Sequence, residues 1–189
     1  MKHLELFAGI GGFRRAMDLL TKDNVMEFHC VGYSEIDIKA ELTYRANYNI
    51  DENEFVLGDI VAFTGNKKNI KSLPKFDLLT GGFPCQTFSM MGSQAGFEED
   101  RGQMFFRIMD ILAIKKPKYV LLENVKNLRN HDKGRTFNRI KHELESIGYR
   151  VYADIFNFFG KLSACKLFPL YAHRNNISLC IFFYRLSFF

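Results

Sequence analysis

His3-Leu4-Glu5-Leu6-Phe7-Ala8-Gly9-Ile10-Gly11-Gly12-Phe13 opens the chain with a short apolar run. The run breaks at a cluster of glycines and resumes with Phe13, Met17 and Leu20 at helical spacing. It reads as strand, turn and helix. Glycines let the backbone approach a ligand closely, and the start of a helix offers N–H groups that lack intrahelical partners. A turn of this kind serves many nucleotide-like cofactors, and some such turns serve none.

The alternation continues along the chain. Apolar runs at 28–33, 55–57, 76–80, 119–123 and 149–157 read as strands, and amphipathic stretches at 37–48, 104–114 and 136–147 as helices. Strands alternating with helices predict an α/β fold: a mainly parallel sheet, right-handed crossovers and helices on both faces. Two stretches read as loops. Residues 66–74, with Lys67-Lys68-Asn69, are polar and fit a solvated connection; residues 86–103 are longer, punctuated by glycine, and of a length that in compact domains commonly belongs to a functional lid.

With 189 residues the chain has room for one well-buried domain. Its formal charge of +5 overstates any affinity for nucleic acid, because Lys161, Lys166, Arg174 and Arg185 sit in an acid-free tail and leave only +1 for residues 1–157. A basic binding face must therefore be local. Cys30, Cys85, Cys165 and Cys180 are scattered without metal-binding spacing, so no metal site is expected, and a reducing cytoplasm suits them. The apolar end, Ile177 to Phe189, is too short for a membrane helix and contains Arg185, so no membrane contact is expected.

Chemistry concentrates at the ends of the expected strands. Glu35, after the second strand, stands where a carboxylate grips a ribose diol, and Asp59, after the third, could accept from an adenine amino group. In Gly81-Gly82-Phe83-Pro84-Cys85-Gln86 the proline fixes the backbone and presents the Cys85 thiol at the carboxyl end of a strand, where crevices of such sheets lie. Cys85 alone would more often be a small buried hydrophobe. Its companions make it a candidate nucleophile. Glu123-Asn124-Val125 puts a carboxylate at the end of a later apolar strand, although the same triplet also suits a capped helix start.

In this order, from Leu4 to about Asn157, the three motifs resemble the DNA cytosine-5 methyltransferases of restriction-modification systems. The resemblance implies a Rossmann-like class I methyltransferase fold with S-adenosylmethionine as cofactor. The cofactor would be held by Phe7, Ala8, Gly9, Gly11, Gly12 and Glu35, with Phe7 against the adenine and Asp59 and Ile60 beside it. The partner it implies is double-stranded DNA with the target cytosine flipped out of the stack. Cytosine C5 is a poor nucleophile. Addition of the Cys85 thiolate to C6 would activate it, with Glu123 acting at N3 and Asn124 bracing the site. Gln86, Ser89 and Arg101 would belong to a loop that closes on the DNA.

The resemblance fades after Asn157. Arg174 is a candidate for the first of two arginines that hold the flipped base in the family, with Asn176 in place of the second. Residues 158–189 carry seven of the twenty phenylalanines and no acid. They read as a diverged strand pair or as the product of a frameshift, and the C-terminal part of the fold is expected to be incomplete. The division expected is a catalytic core at 1–157, a diverged tail at 158–189, and no target recognition domain. Three alternatives stand beside the DNA enzyme: an inactive cofactor-binding remnant, one subunit of a split enzyme working with a second chain that carries the recognition domain, and a tRNA cytosine-5 methyltransferase. The lone chain is not expected to methylate a specific DNA sequence.

Overall fold

The computed structural model describes residues 1–84, 104–156 and 177–184, the last eight and residues 155–156 by backbone alone. In chain order the elements are β1 (Lys2–Leu6), α1 (Gly12–Lys22), β2 (His29–Tyr33), α2 (Ile38–Asn47), β3 (Phe55–Val56), α3 (Ile60–Thr64) and α4 (Lys67–Ser72). They continue with β4 (Leu78–Gly82), α5 (Met104–Lys115), β5 (Tyr119–Val125), α6 (Arg135–Ser146), β6 (Tyr149–Phe156) and β7 (Ile177–Tyr184). The strands form one sheet in the order β3-β2-β1-β4-β5-β7-β6, and every described pairing is parallel. The order reverses direction between β1 and β4, which places a crevice at the carboxyl ends of those two strands.

Side chains alternate across each strand, so neighbouring residues face opposite layers. Leu4, Leu6, Leu79, Val120 and Leu122 share a core with Phe105, Ile108, Ile111 and Leu112 of α5 and with Ile140 and Leu144 of α6. Leu78 instead packs with Met17 and Leu20 of α1, with Tyr119 and Leu121 against them. Helices therefore cover both faces, as the alternation of apolar runs requires. Gly11 precedes α1 as its N-cap, and its left-handed backbone (φ +92°) favours glycine.

Three expectations change. Residues 66–74 are not simply a loop, because Lys67–Ser72 is a short helix. The Asn66 side chain accepts from the Lys68 N–H at 3.0 Å to cap it, and Ile70 is fully buried beneath it. Ile60–Thr64 adds a second short helix, capped by Asp59. β5 runs two residues past Glu123, so Glu123 lies within the strand and a 3₁₀ turn, Lys126–Arg129, follows Val125. Of the residues after Phe156, Ile177–Tyr184 form β7 and lie between β5 and β6.

Candidate functional site

The crevice is built from the turn after β1 and the ends of β4 and β5. Leu6 pairs with Gly81, and Gly82 pairs with Glu123, so three motifs far apart in sequence become neighbours at one sheet edge. Phe7 has a left-handed backbone (φ +54°), and a Cβ added at Gly81 would sit 3.6 Å from its ring. The aromatic ring of the turn thus stands against the strand that leads to Pro84 and Cys85.

Within the turn, the amides of Phe7, Ala8, Gly9 and Gly11 are answered from inside the protein. The Phe7 N–H donates to Ser34 Oγ at 3.1 Å and the Ala8 N–H to the Ser34 carbonyl at 2.9 Å. The Gly9 N–H donates to Glu35 Oε2 at 2.7 Å, and the Gly11 N–H to the Ala8 carbonyl at 2.8 Å. At the head of α1, the Arg14 N–H donates to Glu5 Oε1 at 3.3 Å. Glu35 also accepts from the Ile36 and Asp37 amides through Oε1, at 2.9 and 2.8 Å. Glu35 is therefore the clamp of the turn as well as the candidate diol ligand; of the about four acceptor positions of a carboxylate, these amides take three and leave one on Oε2 for a hydroxyl. Asp59 commits Oδ1 to the Val61 N–H at 2.8 Å, and Ile60 beside it is buried. Gly12 is exposed at the start of α1, while Ala8 is buried against Tyr33 and Tyr44.

The residues beneath the turn escaped the sequence reading. Glu5 is fully buried and accepts from the Tyr44 hydroxyl at 3.1 Å; burial pushes its carboxyl up to about 7. Arg14 donates to the same hydroxyl at 3.1 Å and to Glu54 at 2.6 Å, forming an ion pair whose side chains are 12% and 1% exposed. Tyr48 donates to the Gly11 carbonyl at 2.6 Å, and a Cβ on Gly11 would strike its ring at 2.2 Å. The one sequence signal for this network was an acid inside the apolar run of β1. Ile36, next to Glu35, is 71% exposed and adds an apolar surface to the rim.

At the other side of the crevice, Glu123 leans over Gly82: its Oε2 lies 3.0 Å from where a Cβ on that glycine would be. Burial raises the Glu123 carboxyl above its usual range. Asn124 is 2% exposed and donates from Nδ2 to the Phe83 carbonyl at 2.8 Å, tying the segment before Pro84 to β5. Pro84 is exposed at the rim. Cys85, Gln86, Ser89, Arg101 and Arg174 lie outside the described residues. Among the described residues no cluster of His, Cys, Asp or Glu could hold a metal ion, and no helix is long and apolar enough to cross a membrane.

Comparison with known proteins shows the family of the chain. Residues 1–160 match the family model of the C-5 cytosine-specific DNA methylases. The type II methyltransferase M.SsoII of Shigella sonnei is 46% identical over 153 residues, 81% of this chain and 37% of the relative. M.NlaX of Neisseria lactamica, also a type II methyltransferase, is 44% identical over 82% of this chain and 45% of its own length. The orphan methyltransferase M.Rho11sI of Bacillus phage rho11s is 42% identical over 83% of this chain and 29% of its own length. The chain thus spans under half of the length of these curated relatives. Among solved structures, a protein assigned as a DNA modification methyltransferase encoded within an E. coli prophage has the same fold. The TM-score is 0.56 at 21% identity, over 77% of this chain and 38% of that one.

Proposed function

This chain belongs to the C-5 cytosine-specific DNA methylases, and from that premise we propose that it forms the catalytic core of a DNA (cytosine-5-)-methyltransferase that uses S-adenosylmethionine and a covalent Cys85 adduct. The observation that carries the chemistry is the meeting of two motifs at the ends of β4 and β5. Glu123 hangs over Gly82, and Asn124 holds the Phe83 carbonyl, two residues before Cys85.

The turn after β1 supports the choice of cofactor. A dinucleotide fold uses free amides at the head of its first helix to cradle a diphosphate. Here Ser34 and Glu35 take the Phe7 and Gly9 amides of the turn, and Glu5 takes the Arg14 amide in the first turn of α1. A turn with those amides already answered suits a cofactor without phosphates. Phe7, Glu35, Asp59 and Ile60 would hold the adenosine part, and the acids there complement a cation. When bound, S-adenosylmethionine supplies an electrophilic methyl on a sulfonium.

The chain's own groups activate the base. The Cys85 thiolate forms a bond to C6, and the electrons of the C5–C6 double bond move toward C5 and, through the ring, toward N3. Glu123, its carboxyl raised by burial, supplies a proton or hydrogen bond at N3 and relieves the developing charge. After C5 carries the methyl, loss of the C5 proton to solvent restores the C5–C6 double bond and expels Cys85 as thiolate, while N3 gives its proton back to Glu123. Asn124 acts by position, keeping the Pro84-Cys85 segment in register with Glu123.

The match extends over residues 1–160, and we propose that residues 1–157 form the catalytic unit and that sequence recognition comes from outside it, including a second chain. The test measures radiolabelled methyl transfer to mixed genomic DNA by this chain alone and with a supplied recognition-domain chain. Transfer that requires Cys85, and becomes sequence-specific only on mixing, supports the reading. Transfer that survives Cys85→Ala would overturn it.

A further inference from the structure

The carboxyl edge of the sheet is divided by charge. After β2 and β3 it presents Glu35, Asp37 and Asp59. After β5 the chain runs Lys126-Asn127-Leu128-Arg129-Asn130-His131-Asp132-Lys133-Gly134-Arg135, with four cationic residues against one acid. Lys126, Arg129, Lys133 and Arg135 are all exposed, while Leu128 is fully buried and pins the segment to the body. A core with a formal charge of only +1 over residues 1–157 thus sets four of its cations directly beyond Glu123, while another basic run, Lys67, Lys68 and Lys71, lies apart on α4.

The backbone here is unusual. Asp132 and Lys133 both adopt left-handed conformations, φ +50° and +55°, and Gly134 follows at +84°. Non-glycine residues seldom take that shape, and two in succession are retained where the surroundings hold them and a role repays the strain. Arg135 pairs with Asp132, and the His131 Nδ1 lies 2.7 Å from Thr136 Oγ1, so both ends of the turn are fastened. Lys133 is exposed at the tip between them.

Building on the methyltransferase reading, we propose that Lys126, Arg129 and Lys133 form the contact surface for the phosphates of duplex DNA flanking the flipped cytosine. Lys126 lies three residues past Glu123, a span of roughly 10 Å of extended chain. That brings it within reach of the backbone on either side of a base held at the crevice. Phosphate contacts of this kind position a duplex without reading its sequence. The acidic half of the same edge would repel the polyanion and turn it toward β5.

Fluorescence anisotropy of the full chain with a labelled duplex, titrated from 20 to 150 mM salt, tests the surface. Each lost phosphate contact lowers the slope of log K against log salt by about 0.9. The variant K126Q/R129Q/K133Q should therefore lose roughly 2.7 of slope, and Arg129→Gln alone about 0.9. The control K67Q/K68Q/K71Q, in exposed positions of α4, should keep the slope. Calorimetry with S-adenosylmethionine, run on every variant, reads folding and the cofactor site separately. An unchanged slope in the loop variant with cofactor binding intact would overturn the surface, as would an equal drop in the α4 control. A chain that binds cofactor but no duplex at 20 mM salt, or that prefers tRNA through these residues, would also overturn it. Failure to bind cofactor in the unaltered chain would count instead against the methyltransferase reading.

Discussion

The two halves of the sheet edge are built on opposite plans. On the β1–β3 side, polar groups are buried and matched: Glu5, Tyr44, Arg14 and Glu54 form a continuous chain of hydrogen bonds under the glycine turn. On the β4–β5 side the strand ends in Gly81-Gly82, and the carboxylate of Glu123 stands over the gap with its pKa raised by burial. The first half is fastened by its own hydrogen bonds before any ligand arrives, and the second ends in two glycines beneath a carboxyl whose proton affinity is raised. Preorganisation serves a cofactor that is seated in the same way each cycle, whereas a base swung in from a duplex needs room.

The largest expected break of this contrast is on the open side. Glu123→Gln should slow methyl transfer by about 10²- to 10⁴-fold while leaving the affinity for S-adenosylmethionine within experimental error. Parallel losses in single-turnover kinetics and calorimetry would make Glu123 a cofactor or structural residue.

On the closed side the expected losses are in stability. Arg14→Met strands the buried Glu54 carboxylate, and breaking such a pair costs about 3–5 kcal/mol, measurable by urea denaturation. A loss below 1 kcal/mol would show that water reaches the network.

The Glu5 carboxyl offers a sharper probe of the same network. Its folded pKa of about 7 lies above the ordinary 4.5, so the native state holds this proton more tightly than the unfolded chain does. Its contribution to stability is complete below pH 4.5 and is lost as pH rises to 7. Relative to the unaltered protein, Glu5→Gln should therefore gain about 1.4 kcal/mol per pH unit across that window and level off above it. A difference that does not vary with pH would mean that Glu5 titrates normally.

Smallest of all should be the surface pair Arg139–Glu143, 3.0 Å apart on α6 and away from both halves. Glu143→Gln should change stability by no more than about 0.5 kcal/mol in the same denaturation assay.

What could be read in advance follows the same divide. The strand-turn-helix at the start, Gly81-Gly82-Phe83-Pro84 and Glu123-Asn124 are linear motifs, and the sheet brings them together because β1 and β4 end, and β5 nears its end, at the same edge. The network under the turn was illegible because Arg14 meets Tyr44 and Glu54 across 30 and 40 residues of chain, which no local pattern encodes. α4 was missed for a different reason: one buried isoleucine in six residues leaves no helical period, and its polar face looked like a loop. Glu35 was legible as the acid that follows β2, but its hold on the Gly9 amide is a contact that only the fold creates.

The central claim, that Cys85 adds covalently to the base beside Glu123, is tested most directly by mass spectrometry after incubation with S-adenosylmethionine and duplex DNA containing 5-fluorocytosine. The incubation includes the recognition-domain chain. Fluorine cannot leave C5 as a cation, so the account predicts a trapped protein–DNA adduct that maps to Cys85 and is absent in Cys85→Ala. Methylation of ordinary cytosine by the same preparation without any adduct on the fluorinated duplex, or an adduct that persists in Cys85→Ala, would contradict it.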